Sequence, residues 1–260
     1  MQTTYGDVGV SLKDHVAVVE IQRPPHNFFD HMLIKDLADA FDDLDENPDC
    51  RALVLASDGK SFCAGANFQG QSSRAQDRQQ SDPNALYREA TRMFSNKKPV
   101  IGAIQGAAIG GGLGVAMVPD FRIACPEARF AANFVKLGFH PGFGLTHTLP
   151  KLIGQQKANL IFYTGRRIDG ETALEWGLAD MLVSQEKLRE TAIDLAKEIA
   201  ENAPLAVMAT RATMREGLAE AVSKQTDHEL AEQNRLRQTE DFKEGVRAVA
   251  ERRPGNFQGR

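Results

Sequence analysis

Two glycine-rich segments are the part of the sequence best suited to chemistry, because their small residues let a ligand approach the main chain closely. The first covers residues 61–67 and reads SFCAGAN, and the second covers residues 106–114 and reads GAAIGGGLG. Each follows a short apolar run typical of a buried strand, and the second leads into an apolar helical segment. Backbone amides at the start of a helix stabilise an anion, aided by the helix dipole.

Two such turns could each aim one N–H group at the same carbonyl oxygen and so form an oxyanion hole. One donor of this kind contributes about 3 kcal/mol in mutational tests. The alternative interpretation is that these glycines only permit tight turns and close packing of a helix. Spacing alone leaves both interpretations open.

Other catalytic motifs cannot be placed on these segments. Leu113, Val115 and Met117 occupy positions that a P-loop or a G-x-G-x-x-G motif would need for other residues. Residues 55–59 read LASDG and lack the first glycine of the G-x-S-x-G nucleophile elbow. The sequence therefore argues against a kinase, a Rossmann dehydrogenase and a serine hydrolase.

The elements that must position these segments follow from hydrophobic periodicity. Alternating or continuous apolar runs predict strands at residues 8–12, 16–21, 52–56, 100–104 and 121–124. Apolar stripes with helical spacing predict helices at residues 34–44, 110–117 and 188–199. The order of elements indicates repeated β-β-α units, with a polar surface loop or lid at residues 70–84.

The chain divides into two predicted regions. Residues 1–200 form a core that carries the glycine segments, and residues 201–260 form a C-terminal helical region. The long amphipathic segments from 204 to 250 have apolar faces that must be buried against another surface, which favours packing between subunits. Packing within a single chain would give the same sequence pattern.

Composition restricts the possible partners. The 260 residues include 31 Lys and Arg against 35 Asp and Glu, and the charges are interspersed, so no broad basic face for nucleic acid is expected. Cys50, Cys63 and Cys125 form neither a CxxC pair nor an even disulfide framework. We found no signal peptide and no apolar stretch of membrane-spanning length. A cytoplasmic protein without membrane or metal sites is the prediction.

Several short matches extend along nearly the whole chain: Arg23-Pro24, Asn27, and residues 61–66, 98–101, 110–112, 141–142, 164–165, 173–177 and 244–245 before Pro254. Together they resemble the enoyl-CoA hydratase/isomerase family, also called the crotonase superfamily. The resemblance implies an α/β fold, a crotonase-like spiral of ββα units with a C-terminal α-helical trimerisation region. It also implies a homotrimer or a hexamer made as a dimer of trimers.

The resemblance assigns roles to particular residues. It makes the amides of Ala66 and Gly111 the oxyanion hole for the thioester carbonyl of an acyl-CoA, whose enolate is the shared intermediate of the family. It places Arg23, His26 and Ala64 near the nucleotide and pantetheine of CoA. Coenzyme A then enters as part of the substrate, and no separate cofactor is expected.

The two glutamates of the family's hydratases have no counterpart. They stand two positions after the triple glycine and twenty positions later, where this chain has Gly114 and Phe134. Neither glycine nor phenylalanine can transfer a proton, which water addition requires. We therefore expect Gly114 and Phe134 to line the substrate site without acid or base function.

Three other residues are candidates for the site. His140 follows Phe134 by six positions and is a possible acid or base, or else a loop histidine bonded to backbone. Tyr87 could face the acyl chain or be a half-buried amphipathic side chain, and Asn67 could position substrate or cap a turn. We assign His31 and His228 to solvated helix faces and the pair Phe28-Phe29 to the core.

The sequence thus predicts an atypical acyl-CoA enzyme that keeps the oxyanion hole and lacks both glutamates. Isomerisation, decarboxylation, C–C cleavage and thioester hydrolysis are the reactions considered, in the metabolism of fatty or aromatic acids. One alternative is an enoyl-CoA hydratase that uses His140 and bound water. Another is a protein that binds acyl-CoA without catalysis.

Overall fold

A computed structural model of the protein describes residues 2–67 and 83–260. Its ten described strands are β1 (Thr4–Tyr5), β2 (Val8–Lys13), β3 (Val16–Ile21), β4 (Ala52–Ser57), β5 (Val100–Ile104), β6 (Ala107–Ile109), β7 (Phe121–Ala124), β8 (Arg129–Ala131), β9 (Arg167–Asp169) and β10 (Met181–Leu182). The described helices are α1 (His31–Glu46), α2 (Pro83–Phe94), α3 (Gly111–Ala116), α4 (Leu145–Ile153), α5 (Gln155–Thr164), α6 (Gly170–Trp176), α7 (Leu188–Ala200), α8 (Pro204–Met214), α9 (Leu218–Leu236) and α10 (Glu240–Ala250).

Seven strands form the main sheet, in the order β1-β2-β3-β4-β5-β7-β10. The first three pair antiparallel, and every later neighbour pairs parallel, for example Val18 of β3 with Val54 of β4. All residues of β4 and β5 are buried. One face packs in the larger apolar core, which includes α1, and the other packs against α7. Cover on both faces explains why these strands have continuous apolar sequences.

The predicted β-β-α repeat is present in the middle of the chain. Strand β5 belongs to the main sheet, β6 turns into a second sheet, and α3 follows; β7 and β8 repeat this division between the sheets. The second sheet has the order β6-β8-β9. Each of its strands has three residues, too few for a periodic pattern, so the sequence did not predict it.

Helix α1 has the boundaries that its sequence specifies. Asp30 is its N-cap and accepts a hydrogen bond from the Leu33 amide at 2.9 Å, and the helix ends at Glu46, directly before Asn47-Pro48. The predicted helix at residues 188–199 corresponds to α7, and the one at 110–117 corresponds to α3. The loop predicted at 70–84 lies outside the described residues up to position 82, and Asn84 belongs to α2 rather than to a loop.

The C-terminal region is helical, as predicted, with α9 packed against α2 and α4 and with α10 packed against a 3-10 turn at Asn133–Leu137. These contacts bring residues near 230–245 to the glycine segments. The division at residue 200 stays a prediction. In the described part of the chain, none of the helices is long and apolar enough to span a bilayer.

Candidate active site

The two glycine-rich segments lie side by side. The Cys63 amide donates to the Ala107 carbonyl at 2.8 Å, and the Ile109 amide donates to the Cys63 carbonyl at 3.0 Å. A Cβ atom at Gly112 would lie 2.0 Å from the Cys63 carbonyl oxygen, so this close approach requires glycine. Close packing of the two segments therefore accounts for the glycine at position 112, and the chemical interpretation, an oxyanion hole, stays a prediction.

The amides of Ala66 and Gly111 remain available at this place. Gly111 is the first residue of α3, so its N–H has no partner within the helix. Within the described part of the chain, neither amide donates a hydrogen bond. Both residues line the same cavity.

The cavity has a volume of about 310 Å³ and lies between the glycine segments, α2, the 134–143 segment and the end of α9. This volume is within the usual range for small-molecule sites. Its lining is mostly apolar, with polar side chains at a few positions. The described lining residues are Phe29, His31, Ala64, Gly65, Ala66, Leu86, Tyr87, Ile109, Gly110, Gly111, Asn133, Phe134, Phe139, Gly142, Phe143, Gln233 and Arg237.

Asn27 fixes the first glycine segment relative to the strands. Its side chain is fully buried and donates to the carbonyls of Asp58 at 2.6 Å and Ser61 at 2.7 Å. Its Oδ1 accepts from the Arg23 amide at 2.9 Å. Since buried polar groups must be paired, these bonds determine where the 61–67 segment starts. In the sequence, Asn27 was recognisable only as a family match, and this positioning role was not indicated.

Phe143 occupies the region next to the first missing glutamate. A Cβ atom at Gly114 would lie 2.5 Å from both Cβ and Cγ of Phe143, which is 1% exposed. Phe143 itself has a φ of 64°, a left-handed conformation that is unusual for a bulky residue. Gly114 is absent from the described cavity lining, and Phe143 packs against it, so the predicted place of Gly114 in the substrate site stays a prediction.

Phe134 does line the cavity, at the position of the second missing glutamate. Its ring packs edge-on against Phe139, with ring centres 5.5 Å apart. Phe139 in turn packs edge-on against Phe242 of α10 at 5.4 Å. This side of the cavity is therefore an aromatic wall supported by α10.

His140 is directed differently from the catalytic prediction. It is not among the described residues that line the cavity. Its Nδ1 lies 2.8 Å from the Pro141 carbonyl oxygen, and its ring centre lies 5.9 Å from that of His228 on α9. This geometry agrees with the alternative of a loop histidine bonded to backbone, while its part in catalysis stays a prediction.

His31 lines the cavity, so its assignment to a solvated helix face was wrong. It is the first residue of α1 and is partly buried. Phe29 also lines the cavity rather than lying wholly in the core. Asn27 and the Asp30 cap fix the start of α1. The backbone of Phe29 forms a bridge with Ala66, and the Phe29 amide donates to the Gly65 carbonyl at 3.1 Å. The one signal in the sequence for His31 was its position at the start of a helix, directly after residues 27–30.

Tyr87 lines the cavity from α2, as expected for a residue facing the acyl chain. Its hydroxyl donates to Oε1 of Gln233 on α9 at 3.0 Å, and Gln233 Nε2 donates to the His140 carbonyl at 3.0 Å. Burial raises the pKa of the Tyr87 hydroxyl above its ordinary value, with the nearby Glu229 carboxylate adding to the effect. Tyr87 therefore stays protonated and can donate a hydrogen bond but cannot act as a base.

The remaining candidates lie in the segment before α1 and in the first glycine segment. Arg23 pairs with Asp7 at 2.5 Å and with Asp30 at 2.7 Å, which engages it in supporting the start of α1. Ala64 lines the cavity, and its amide donates to the His26 carbonyl at 3.0 Å.

His26 and the exposed Asn67 are not among the described lining residues. The predicted roles of Arg23, His26 and Ala64 in CoA binding, and of Asn67 beside the substrate, stay predictions.

Comparison with known proteins agrees with this architecture. The sequence profile of the family "Enoyl-CoA hydratase/isomerase" matches residues 11–260. The chain is 33% identical to the crotonyl-CoA hydratase of Syntrophomonas wolfei, with 97% of this chain and 98% of the relative covered. It is 34% identical to the (E)-benzylidenesuccinyl-CoA hydratase of Thauera aromatica, with coverages of 97% and 99%.

Among solved structures, the enoyl-CoA hydratase/isomerase of Pseudoalteromonas atlantica superposes with a TM-score of 0.84 at 27% identity. The superposition covers 97% of this chain and all of the other. The expected crotonase-like α/β fold is thus confirmed.

Proposed function

Because the chain belongs to the enoyl-CoA hydratase/isomerase family, we propose that it binds an acyl-CoA and stabilises the thioester enolate with the amides of Ala66 and Gly111. The observation that carries this proposal is that these two amides line one cavity and donate no hydrogen bond to any described residue. Fixed N–H donors in a site shielded from water stabilise developing negative charge without reorganising. Coenzyme A takes part as a portion of the substrate.

The reaction we propose is one that needs fewer acid and base groups than two-glutamate hydration. No carboxylate is found among the described residues that line the cavity. Isomerisation, decarboxylation, C–C cleavage and thioester hydrolysis can all proceed through charge that the oxyanion hole stabilises. Addition of water by two carboxylates has no support from these residues.

His31 is the residue we propose to transfer a proton. It is the one histidine among the described lining residues, and the titratable lining side chains besides it are Tyr87 and Arg237. The raised pKa of Tyr87 keeps that hydroxyl protonated, and arginine does not deprotonate in proteins. Imidazole can both accept and donate a proton near neutral pH.

A panel of CoA thioesters tests the proposal. Short, long and aromatic 2-enoyl-CoA thioesters are incubated with the protein while the conjugated enoyl absorbance and free thiol are followed together. Cys50, Cys63 and Cys125 are buried, and burial raises the pKa of the Cys63 thiol to about 12, so native protein adds little background in a thiol assay.

Each outcome of the panel has a meaning. Thiol release supports hydrolysis or cleavage, and loss of absorbance without thiol in a His140→Gln-sensitive reaction supports the alternative hydratase. Tight binding of every thioester with neither change supports a binding protein. No binding of any thioester overturns the proposed function.

We also propose that the protein is a homo-oligomer, a trimer or a hexamer. On α8, Leu205 and Met214 are exposed by 79% and 80%, which is costly for large apolar side chains in water. Sedimentation of the wild type against the variant Leu205→Glu/Met214→Glu tests this. A monomeric wild type contradicts the proposal.

A further inference from the structure

The cavity has a polar end at the junction of α2 and α9. Tyr87, Gln233 and Arg237 lie there, in a lining that is mostly apolar. The Oε1 of Gln233 accepts from Tyr87 at 3.0 Å and from Arg237 Nη2 at 3.4 Å, and its Nε2 donates to the His140 carbonyl. Arg237 is the charged group at this end, and the bond to Gln233 uses only one of its five N–H donors.

Arg237 is held in place by apolar packing rather than by an acid. It is the residue directly after α9, and its Cζ lies 5.7 Å from the centre of the Phe139 ring. In residues 2–67 and 83–260 no carboxylate pairs with it, whereas Arg235, two positions earlier, pairs with Glu232 at 2.6 Å. The carbonyls at the end of α9 favour a cation here, but they leave most of the guanidinium donors unused.

An unpaired guanidinium at the end of an apolar cavity selects for an anion. Arginine presents its N–H donors in a planar fork that matches a carboxylate with two parallel hydrogen bonds. A neutral alkyl or aryl end would leave these partly desolvated donors without an acceptor, which is costly.

We propose that Arg237 binds a carboxylate carried by the acyl group, so that the cavity selects CoA thioesters of dicarboxylic acids. This inference rests on the function proposed above, because it takes the thioester to lie at Ala66 and Gly111. The acyl chain then runs past Phe134 and Phe139, and its carboxylate reaches the polar end beside Gln233.

Matched pairs of thioesters test this selection. Dissociation constants are measured by calorimetry for glutaryl-CoA against pentanoyl-CoA and for adipyl-CoA against hexanoyl-CoA, with free CoA as reference. Each pair has the same number of carbons and differs by one carboxylate. We expect the wild type to prefer at least one dicarboxylic thioester by about tenfold to a hundredfold, the effect of a charge-assisted hydrogen bond.

Two variants locate the source of the preference. Arg237→Met keeps the apolar contact with Phe139 and removes the charge, and it should abolish the preference without changing the affinity for free CoA. Arg235→Met removes an exposed charge from the same helix and should leave the preference intact. Because the result is a ratio within each variant, a general loss of folded protein does not mimic it.

Three results are decisive. Equal binding of both members of each pair by the wild type overturns the inference and leaves the proposed function standing. A loss of affinity for CoA and for all four thioesters alike in Arg237→Met also overturns it, since Arg237 then contacts the phosphates of CoA. If the wild type binds none of these molecules, the proposed function fails together with the inference.

Discussion

Phe143 fills the space that a side chain at Gly114 would need. The two residues are distant in sequence, yet an added Cβ at Gly114 would lie 2.5 Å from the Phe143 Cβ. The ring of Phe143 also packs edge-on against Phe29, with centres 6.0 Å apart. The missing side chain at position 114 is therefore matched by the ring of Phe143, and the two residues are coupled through packing.

This coupling predicts a non-additive pair of substitutions. Gly114→Ala should lower the free energy of unfolding by about 1–3 kcal/mol, because the added methyl overpacks the core against Phe143. In the Phe143→Gly background, which removes the opposing atoms and suits a φ of 64°, the same change should cost much less. Urea denaturation of the four proteins measures the difference. An equal cost of Gly114→Ala in both backgrounds would show that the contact is not the cause.

The proposed role of the Gly111 amide as an oxyanion donor predicts a sharp loss of turnover in Gly111→Pro. Proline is tolerated at the first position of a helix and removes the N–H group. A Cβ at Gly111 would lie 2.3 Å from the Phe29 ring, so any substitution also disturbs packing. The matched control is Gly111→Ala, which adds the same Cβ and keeps the amide. With a thioester that the wild type turns over, kcat of Gly111→Pro should be about a hundredfold to a thousandfold below that of Gly111→Ala. Equal kcat values would exclude this amide from the chemistry.

The proposed role of His31 predicts a loss of rate when its imidazole is removed. His31→Gln should lower kcat by about a hundredfold or more. Thioester affinity should change less, because glutamine keeps a polar side chain at the cavity. The exposed His15, which lies on a turn remote from the cavity lining, supplies the control His15→Gln. An unchanged kcat in His31→Gln together with an inactive His140→Gln would transfer the role to His140.

The ion pairs and hydrogen bonds of Glu244 predict that its contribution to the stability of the fold depends on pH. Arg253, the Asn256 amide and Arg247 hold the pKa of the Glu244 carboxyl far below its ordinary value of 4.5. A lowered pKa in the folded state means that the stabilisation is complete well above pH 4.5 and is lost as the pH falls below it.

The variant Glu244→Gln should therefore lower the melting temperature at pH 7 and differ progressively less from the wild type below pH 4. As control, Glu190→Gln alters an exposed carboxylate of α7. A melting-temperature difference that is constant from pH 7 to pH 3 would contradict this account.

Much of the fold was predictable because it depends on local patterns. Continuous apolar runs specify the buried strands β4 and β5, and the Asp30 cap with Asn47-Pro48 specifies the limits of α1. The short strands of the second sheet were missed, since three residues carry no periodic pattern. Their place depends on pairing with partners elsewhere in the chain, such as Ala108 with Phe130.

The sequence by itself determined the longer buried strands, the helices α1, α3 and α7, the two glycine segments and the absence of both glutamates, because residue type and spacing carry that information. Only the tertiary structure decided that His31 lines the cavity, that His140 lies outside its described lining, and that Arg237 reaches it. The bond between Tyr87 and Gln233 joins residues 146 positions apart. Contacts between residues so distant in sequence depend on how α2 and α9 pack and on the direction of each side chain, and spacing along the sequence specifies neither.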